Sequence, residues 1–455
     1  MQFPRGHRRW RTALGSLLLT AILLFGGAHW VGRHLPQAER LAADRQWDAA
    51  RKSLAFYLRF HPADAEARLL MARAYVSDNS LVGEDKVHAA LAQLKRISPN
   101  SARSAEARLQ EGRLHFLLLW QPGRAERCFL DALQLEPTRL EARILLWKLF
   151  DATGRWELGE EHFWQVYERT PAHDRPVVLR DWYLSEFSPG TATAELDRRM
   201  GLLGETELPS IESERRRLEA FVAADPGWLA GHAILARWFH RQGGVPQAIE
   251  QLDKAELLPG GADDPFVIAE RVSTSIEVGE FDTARRAFDR WPEPHTGHQF
   301  WKCRGLIEDL VLRHDRQAVT AFEQAIATTP GKSDWLTQHR LAQCLTRLGE
   351  RERASAVRKH SKEVEQLMES PLHQQLRRAL STPNAAQTGK EMADFYRRLG
   401  RSQESAAWQR LTIGSETAKV STSVSTGLSS EHEAGPSSKA PPAESHSRNP
   451  ESSSR

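Results

Sequence analysis

The sequence predicts an all-α fold, an α-solenoid of antiparallel helical hairpins, and three observations predict it. Ala, Leu, Glu, Gln and Arg dominate the 455 residues, while runs rich in Val, Ile and Thr are scarce. A spacing of Ala, a large apolar residue four positions on, a second small residue and then Pro recurs along the chain. A second apolar block precedes many of these copies, with Gly between the two. A chain of this length would ordinarily split into two or three domains, but a solenoid escapes that rule because each unit packs only on its neighbours.

The first twelve residues carry Arg5, Arg8, Arg9 and Arg11 and no acid. Ala13 to Gly32 then run without a charge, and twenty helical residues cover roughly 30 Å, about one hydrocarbon thickness. Trp10 and Trp30 flank the run as interfacial aromatics do. The reading is a basic cytoplasmic segment over 1–12 and a single-pass transmembrane anchor over 13–32, with the arginines inside and the rest exported. In a Gram-negative-type cell the bulk would stand in the periplasm, held at the cytoplasmic membrane. The rival is a signal peptide cleaved near Ala28, which would make the protein secreted.

From residue 36 to 171 the repeat is clearest. Ala125, Phe129, Ala132 and Pro137 form one copy, and Ala50, Leu54, Tyr57 and Pro62 a looser one. Phe163 and Pro171 keep the register with Gly159 in the Ala slot. Small Ala lets the second helix of a hairpin approach the first, the large residue on the same face fills the gap, and Pro ends the unit. Met71-Ala72-x2-Tyr75 and Leu146-Trp147-x2-Phe150 are the matching upstream helices. From Pro137 to Pro171 is 34 residues. Period, blocks and turn glycines together resemble the tetratricopeptide repeat (TPR) family. That resemblance implies a binding scaffold rather than an enzyme, and covers roughly 36–412 as about nine or ten hairpins.

Residues 172–225 break the pattern. They hold Trp182-Tyr183-Leu184, Ser188-Pro189-Gly190 and a Gly-containing link to Pro209-Ser210, and read as one degenerate hairpin plus a helix from Ser210 to Ala224. The repeat resumes over 226–412. Ala248, Leu252, Ala255 and Pro259 form one copy, Ala318, Phe322, Ala325 and Pro330 another, with Leu235-Ala236-x2-Phe239 and Leu341-Ala342-x2-Leu345 upstream. Gly154, Gly243-Gly244, Gly279 and Gly349 mark hairpin turns. The tail, 413–455, is rich in Ser, Thr, Pro, Ala and Glu and too poor in apolar residues to offset ordering entropy, so it is expected to be disordered.

Chemistry-bearing motifs are few. The net charge of +3 balances 62 basic against 59 acidic residues and gives no reason to expect a nucleic-acid partner. Cys128, Cys303 and Cys344 are far apart and in no metal or redox spacing. His295, His298 and Cys303 form a tight group without a fourth ligand, and Glu160-Glu161-His162 would diverge on a helix. No phosphate-loop, dinucleotide, nucleophile-elbow or zinc-protease motif occurs, so no catalytic, cofactor-binding or metal residue is assigned and no cofactor is expected. An enzyme would have to use the carboxylates of the irregular stretch: Asp181, Glu186, Glu195 and Asp197.

One site follows from the resemblance. The residue after the Gly slot of the first helix faces the concave surface in this family, and Arg73, Arg113, Lys148 and Arg237 stand there. They would form a basic track for carboxylates or an acidic partner segment, against the alternative of ordinary solvated charge. The Asn that clamps a peptide carboxylate in some family members is missing from that slot, so binding of chaperone tails is not expected. The function predicted is an anchored scaffold for a protein or peptide partner on the exported side of the membrane, serving assembly or recruitment of envelope or secreted proteins.

Overall fold

The computed structural model describes residues 33–81, 83–381 and 385–411. The basic segment expected over 1–12, the anchor expected over 13–32 and the disordered tail expected over 413–455 lie outside these residues. Among the described residues no helix is long and apolar enough to cross a membrane, and every regular element is helical.

Ten helix pairs follow the hairpin pattern. The first four are α1 (His34–Ala43) with α2 (Trp47–Phe60), α3 (Ala65–Ser77) with α4 (Asp85–Leu94), α5 (Ser104–Leu117) with α6 (Pro122–Leu135), and α7 (Leu140–Ala152) with α8 (Trp156–Arg169). Next comes a smaller pair, α9 (Arg175–Phe187) and α10 (Pro189–Arg199), then an unpaired helix, α11 (Ile211–Ala224). The stack resumes with α12 (Leu229–Arg241) and α13 (Val245–Leu257), α14 (Pro265–Glu277) and α15 (Phe281–Phe288), and α16 (Gly297–Leu306) and α17 (Asp315–Ala327). A single turn, α18 (Thr329–Ser333), leads to α19 (Trp335–Arg347) and α20 (Arg351–Leu367). The chain closes with α21 (Ser370–Ser381), α22 (Ala385–Arg398) and α23 (402–411).

The repeat residues are where packing needs them. Ala50, Leu54, Ala125, Phe129, Ala132, Ala248, Leu252, Ala255, Ala318, Phe322 and Ala325 are all fully buried. Facing glycines admit the large rings: a Cβ on Gly112 would fall 2.4 Å from Phe129, and one on Gly305 would fall 2.4 Å from Phe322. The turns repeat as well. Gly154, Gly243, Gly279, Gly349 and Gly400 adopt positive φ, the left-handed conformation that only Gly enters without strain. The next N–H then bonds a carbonyl five residues back, as in Arg155 to Phe150 (2.8 Å) and Arg401 to Tyr396 (2.8 Å).

Three turns depart from this. At Arg45, Trp120 and Arg313 a non-Gly residue takes the positive φ, and after the last two the following N–H bonds six residues back, to His115 and Glu308. The last coincides with a π-helical turn over Ile307–Val311 that extends α16 and buries Glu308 and Asp309.

The irregular stretch bends the stack. α10 packs on α7, and α11 packs between α10 and α12, pinned by the buried Arg217. That guanidinium donates to the Ala152 carbonyl (3.1 Å), Thr193 Oγ1 (2.9 Å) and both oxygens of Asp197 (2.6 and 2.7 Å). The bend brings Trp228, at the start of α12, against Gly123 of α6, where a Cβ would lie 2.4 Å from the indole. One continuous core therefore joins Phe129 and Leu146 to Phe221, Leu235 and Trp238.

The later repeats curve until the chain end meets its middle. Trp147, Phe163, Trp182 and Tyr183 share a core with Leu367, Leu376, Phe395, Tyr396 and Trp408. Phe163 and Trp182 stack face to face (4.4 Å between centroids), and Phe187 meets Phe395 edge to face (5.0 Å). Helices α1–α6 thus form an open arm, while α7–α23 close into a ring.

Candidate functional site

Two concave surfaces follow from this architecture. The arm carries a groove of about 640 Å³ between the first helices of its hairpins, α1, α3 and α5. Leu35, Leu69, Leu70 and Leu114 give it an apolar floor, and Arg73 projects into it from α3. Arg73 is exposed and makes no ion pair among the described residues. On the rim, Arg103 pairs with Glu66 (2.5 Å).

The ring borders a larger chamber, about 860 Å³ and open to solvent, faced by α12, α14, α16 and α19, with Trp156 of α8 and Phe187 of α9 on the closing side. Regular hairpin stacking explains the wall, since the first helix of each unit turns the same face inward. Its charges are mostly paired. Arg237 donates to Glu270 (2.7 Å) and lies 3.8 Å from Glu157, over the ring of Phe266. Burial works against its charge, but Glu270 and Glu157 outweigh that and raise its pKa. Asp334 is also pushed up by burial, yet Lys302 (2.7 Å), His298 (3.5 Å) and the Thr337 amide hold it below the ordinary carboxylate range. His240 pairs with Glu277.

Arg241 differs. It is exposed at the chamber and has no ion-pair partner within 4 Å among the described residues; desolvation by the wall and the neighbouring Arg237 lower its pKa, against the more distant Glu270, Glu157 and Glu214. Leu336, 56% exposed, and Phe281, 38% exposed, present apolar side chains to the same space. The chamber wall therefore combines apolar contacts, fixed ion pairs and one guanidinium outside direct ion-pair contact.

The four basic positions singled out from the sequence are spread over these features. Arg73 lines the arm groove and Arg237 the ring chamber. Arg113 pairs with Glu141 (2.5 Å) between them. Lys148 lies over the Trp147 ring (4.6 Å) and pairs with Asp181 (3.2 Å).

The carboxylates of the irregular stretch each have their own cation and do not converge. Asp181 binds Lys148 and Arg180, Glu186 binds Arg401, Glu195 binds Arg199, and Asp197 binds Arg217. Glu160, Glu161 and His162 also part company. Glu160 accepts from Thr329 Oγ1 (2.8 Å), Glu161 approaches Arg143, and His162 stacks on Phe150. Of the other histidine group, His298 joins Asp334, His295 stacks on Phe300, and Cys303 is buried against the Ala269 carbonyl. One further cluster brings ligand-type atoms together: Asp309, Asp315 and Cys344. The Arg347 guanidinium already contacts all three and Arg340 lies 3.7 Å from Asp309, so both carboxylates are ion-paired within the fold.

Sequence reasoning did not find Arg241, the π turn or the ring's closing contacts. Arg241 follows the expected concave slot at Arg237 by one helical turn, so a period-four scan along the first helices would have found it.

Stacked hairpins with a small residue at each close approach, left-handed glycine turns and an inward-facing first helix define a helical-repeat solenoid similar to tetratricopeptide-repeat folds. No protein-family model matches the chain, and no curated protein does. Among solved structures it is similar to Cut9 in the APC/C hetero-tetramer Cut9–Hcn1, at 12% identity and a TM-score of 0.36 over 84% of this chain and 76% of that one. It is also similar to the TPR domain of P58(IPK), at 17% identity and a TM-score of 0.25 over 88% and 99% of the two chains. A third likeness is to PilF of Pseudomonas aeruginosa, at 18% identity and a TM-score of 0.25 over 50% and 93%. Scores this low carry no argument about the whole arrangement; the assignment rests on the hairpins themselves.

Proposed function

We propose that the protein is an interaction scaffold that holds an extended protein segment on its concave surfaces and is tethered to a membrane by the apolar run Ala13–Gly32. The observation that supports it best is the ring chamber, which offers Leu336 and Phe281 for apolar side chains and an unpaired Arg241 for a carboxylate. The open arm groove with Arg73 supplies a second contact of the same chemistry. In this reading the repeats stand on the exported side of the cytoplasmic membrane and bring an envelope or secreted protein to it. A secreted form released near Ala28 is the competing arrangement.

The test is crosslinked affinity capture from membranes with the full chain, comparing wild type with Leu336→Asp/Arg241→Glu in the chamber and with Arg73→Glu in the groove. A partner recovered by the wild type and lost with the chamber variant supports the scaffold reading, and unchanged recovery with both variants overturns it. Tethering is tested separately by fractionation: the mature chain pellets with membranes and keeps its N-terminal arginines, whereas a soluble chain starting after Ala28 contradicts the anchor.

A further inference from the structure

The seam that closes the ring differs in kind from the hairpin stacks. Those stacks bury Ala against Phe and Leu, between neighbours in sequence. The seam joins residues about two hundred positions apart. Tyr183 Oη meets His373 Nδ1 (2.8 Å), Arg377 donates to Ser188 Oγ (3.1 Å), and Arg401 reaches Glu186.

Its centre is charged. The Arg401 side chain is wholly enclosed, between Glu186 and Glu404 (2.5 Å), and over the rings of Trp156, Trp182 and Tyr396. One buried cation thus faces two buried carboxylates, with Ser333 Oγ donating to Glu186 (2.8 Å). Buried ion pairs of this sort hold less strongly than apolar packing of the same size. Unpartnered polar atoms gather here too. Tyr167 Oη, Trp182 Nε1, Tyr396 Oη and Trp408 Nε1 are buried with no partner in the protein. Each such group is less well satisfied than in its hydrated state, and opening returns it to water. The aromatic stacking around Phe187 and Phe395 keeps the closed form dominant, but the polar centre lowers the work of parting it.

We propose that α21–α23 form a strap that leaves α8 and α9 as a unit, turning the closed ring into an open solenoid and giving the chamber a side entrance. Use of that entrance by a partner rests on the scaffold reading, whereas the opening itself does not. The strap hinges at the short link between α20 and α21, where Met368 borders the chamber.

Hydrogen exchange of the full chain, with no partner added, tests the strap. Amides of α9 and α21–α23 are expected to exchange through a common opening at least tenfold faster than those of α12–α17. A Ser188→Cys/Arg377→Cys chain joined by a short bismaleimide slows both sets at least tenfold and leaves α12–α17 unchanged. Cys303 and Cys344 are buried, and the half-buried Cys128 is replaced by Ser in the crosslinked chain and its control. Arg401→Met leaves Glu186 and Glu404 facing each other and speeds exchange of the strap and α9 at least tenfold. No slowing on crosslinking overturns the strap, as does exchange of α21–α23 only together with α12–α17. Because the readout involves no ligand, it can fail while the scaffold reading stands.

Discussion

The arm and the ring are built from the same hairpin, yet one stays open and the other closes. In the arm, α1–α4 stack with each unit touching only its neighbours, α5 and α6 also meet α11 and α12 through Phe221 and Trp228, and the concave side faces solvent as a groove. In the ring the same stacking is interrupted at α9–α11, where Arg217 ties α11 to α7 and α10. That bend redirects the later repeats, and their curvature carries α20–α23 back onto α8 and α9. The difference teaches that the repeat fixes the unit, while a few buried polar contacts at one irregular corner decide the global shape.

The strongest way to break the comparison is at that corner. Asp197→Ala leaves Arg217 buried without its carboxylate, which costs about 3–5 kcal/mol. Urea unfolding followed by hydrogen exchange should show the loss in α7–α12 and leave α1–α4 unchanged.

A second effect, of up to about 4 kcal/mol, comes from Asp151 near the C-terminal end of α7. Neither of its oxygens makes a well-formed hydrogen bond, and burial, opposed only in part by Lys148 and by the nearby Ser185 and Trp147, raises its pKa to about 7. The folded state therefore holds this proton more tightly than the unfolded chain. The stability tied to the proton is fully present below about pH 4 and is lost as pH rises through about 7. Asp151→Asn should raise the ring's melting temperature at pH 8 and lose that advantage at pH 4.

In the arm, Leu54→Ala removes a fully buried side chain and costs about 2–5 kcal/mol. Since coupling runs between neighbours, exchange should accelerate in α1–α4 while the ring keeps its protection. The smallest effect is expected at the arm–ring boundary. Arg113 and Glu141 are both well exposed, so Glu141→Gln should change stability by less than about 1 kcal/mol in urea titration.

Much of the unit was legible in the sequence because it is local. Ala125, Phe129 and Ala132, with Gly154 and Gly349, report contacts and turns within one or two helices, and period alone reveals them. The ring was not legible. Tyr183 with His373 and Glu186 with Arg401 are long-range pairs without any periodic signature, and none of these residue types is unusual on a helix. The candidate site was legible only as a slot. Its position on the first helix located Arg73 and Arg237, but whether each faces a cavity or an ion pair depends on neighbours such as Glu270, which the slot does not encode.

Ring closure is tested most directly by a distance between the two sides of the seam. Spin labels on Ser188→Cys and Arg377→Cys, whose native side chains lie 3.1 Å apart, read it by pulsed electron resonance in the full chain. A closed ring predicts a dominant narrow distribution at the shortest distances the method resolves. A broad distribution dominated by long distances would mean that α7–α23 form an open solenoid like the arm.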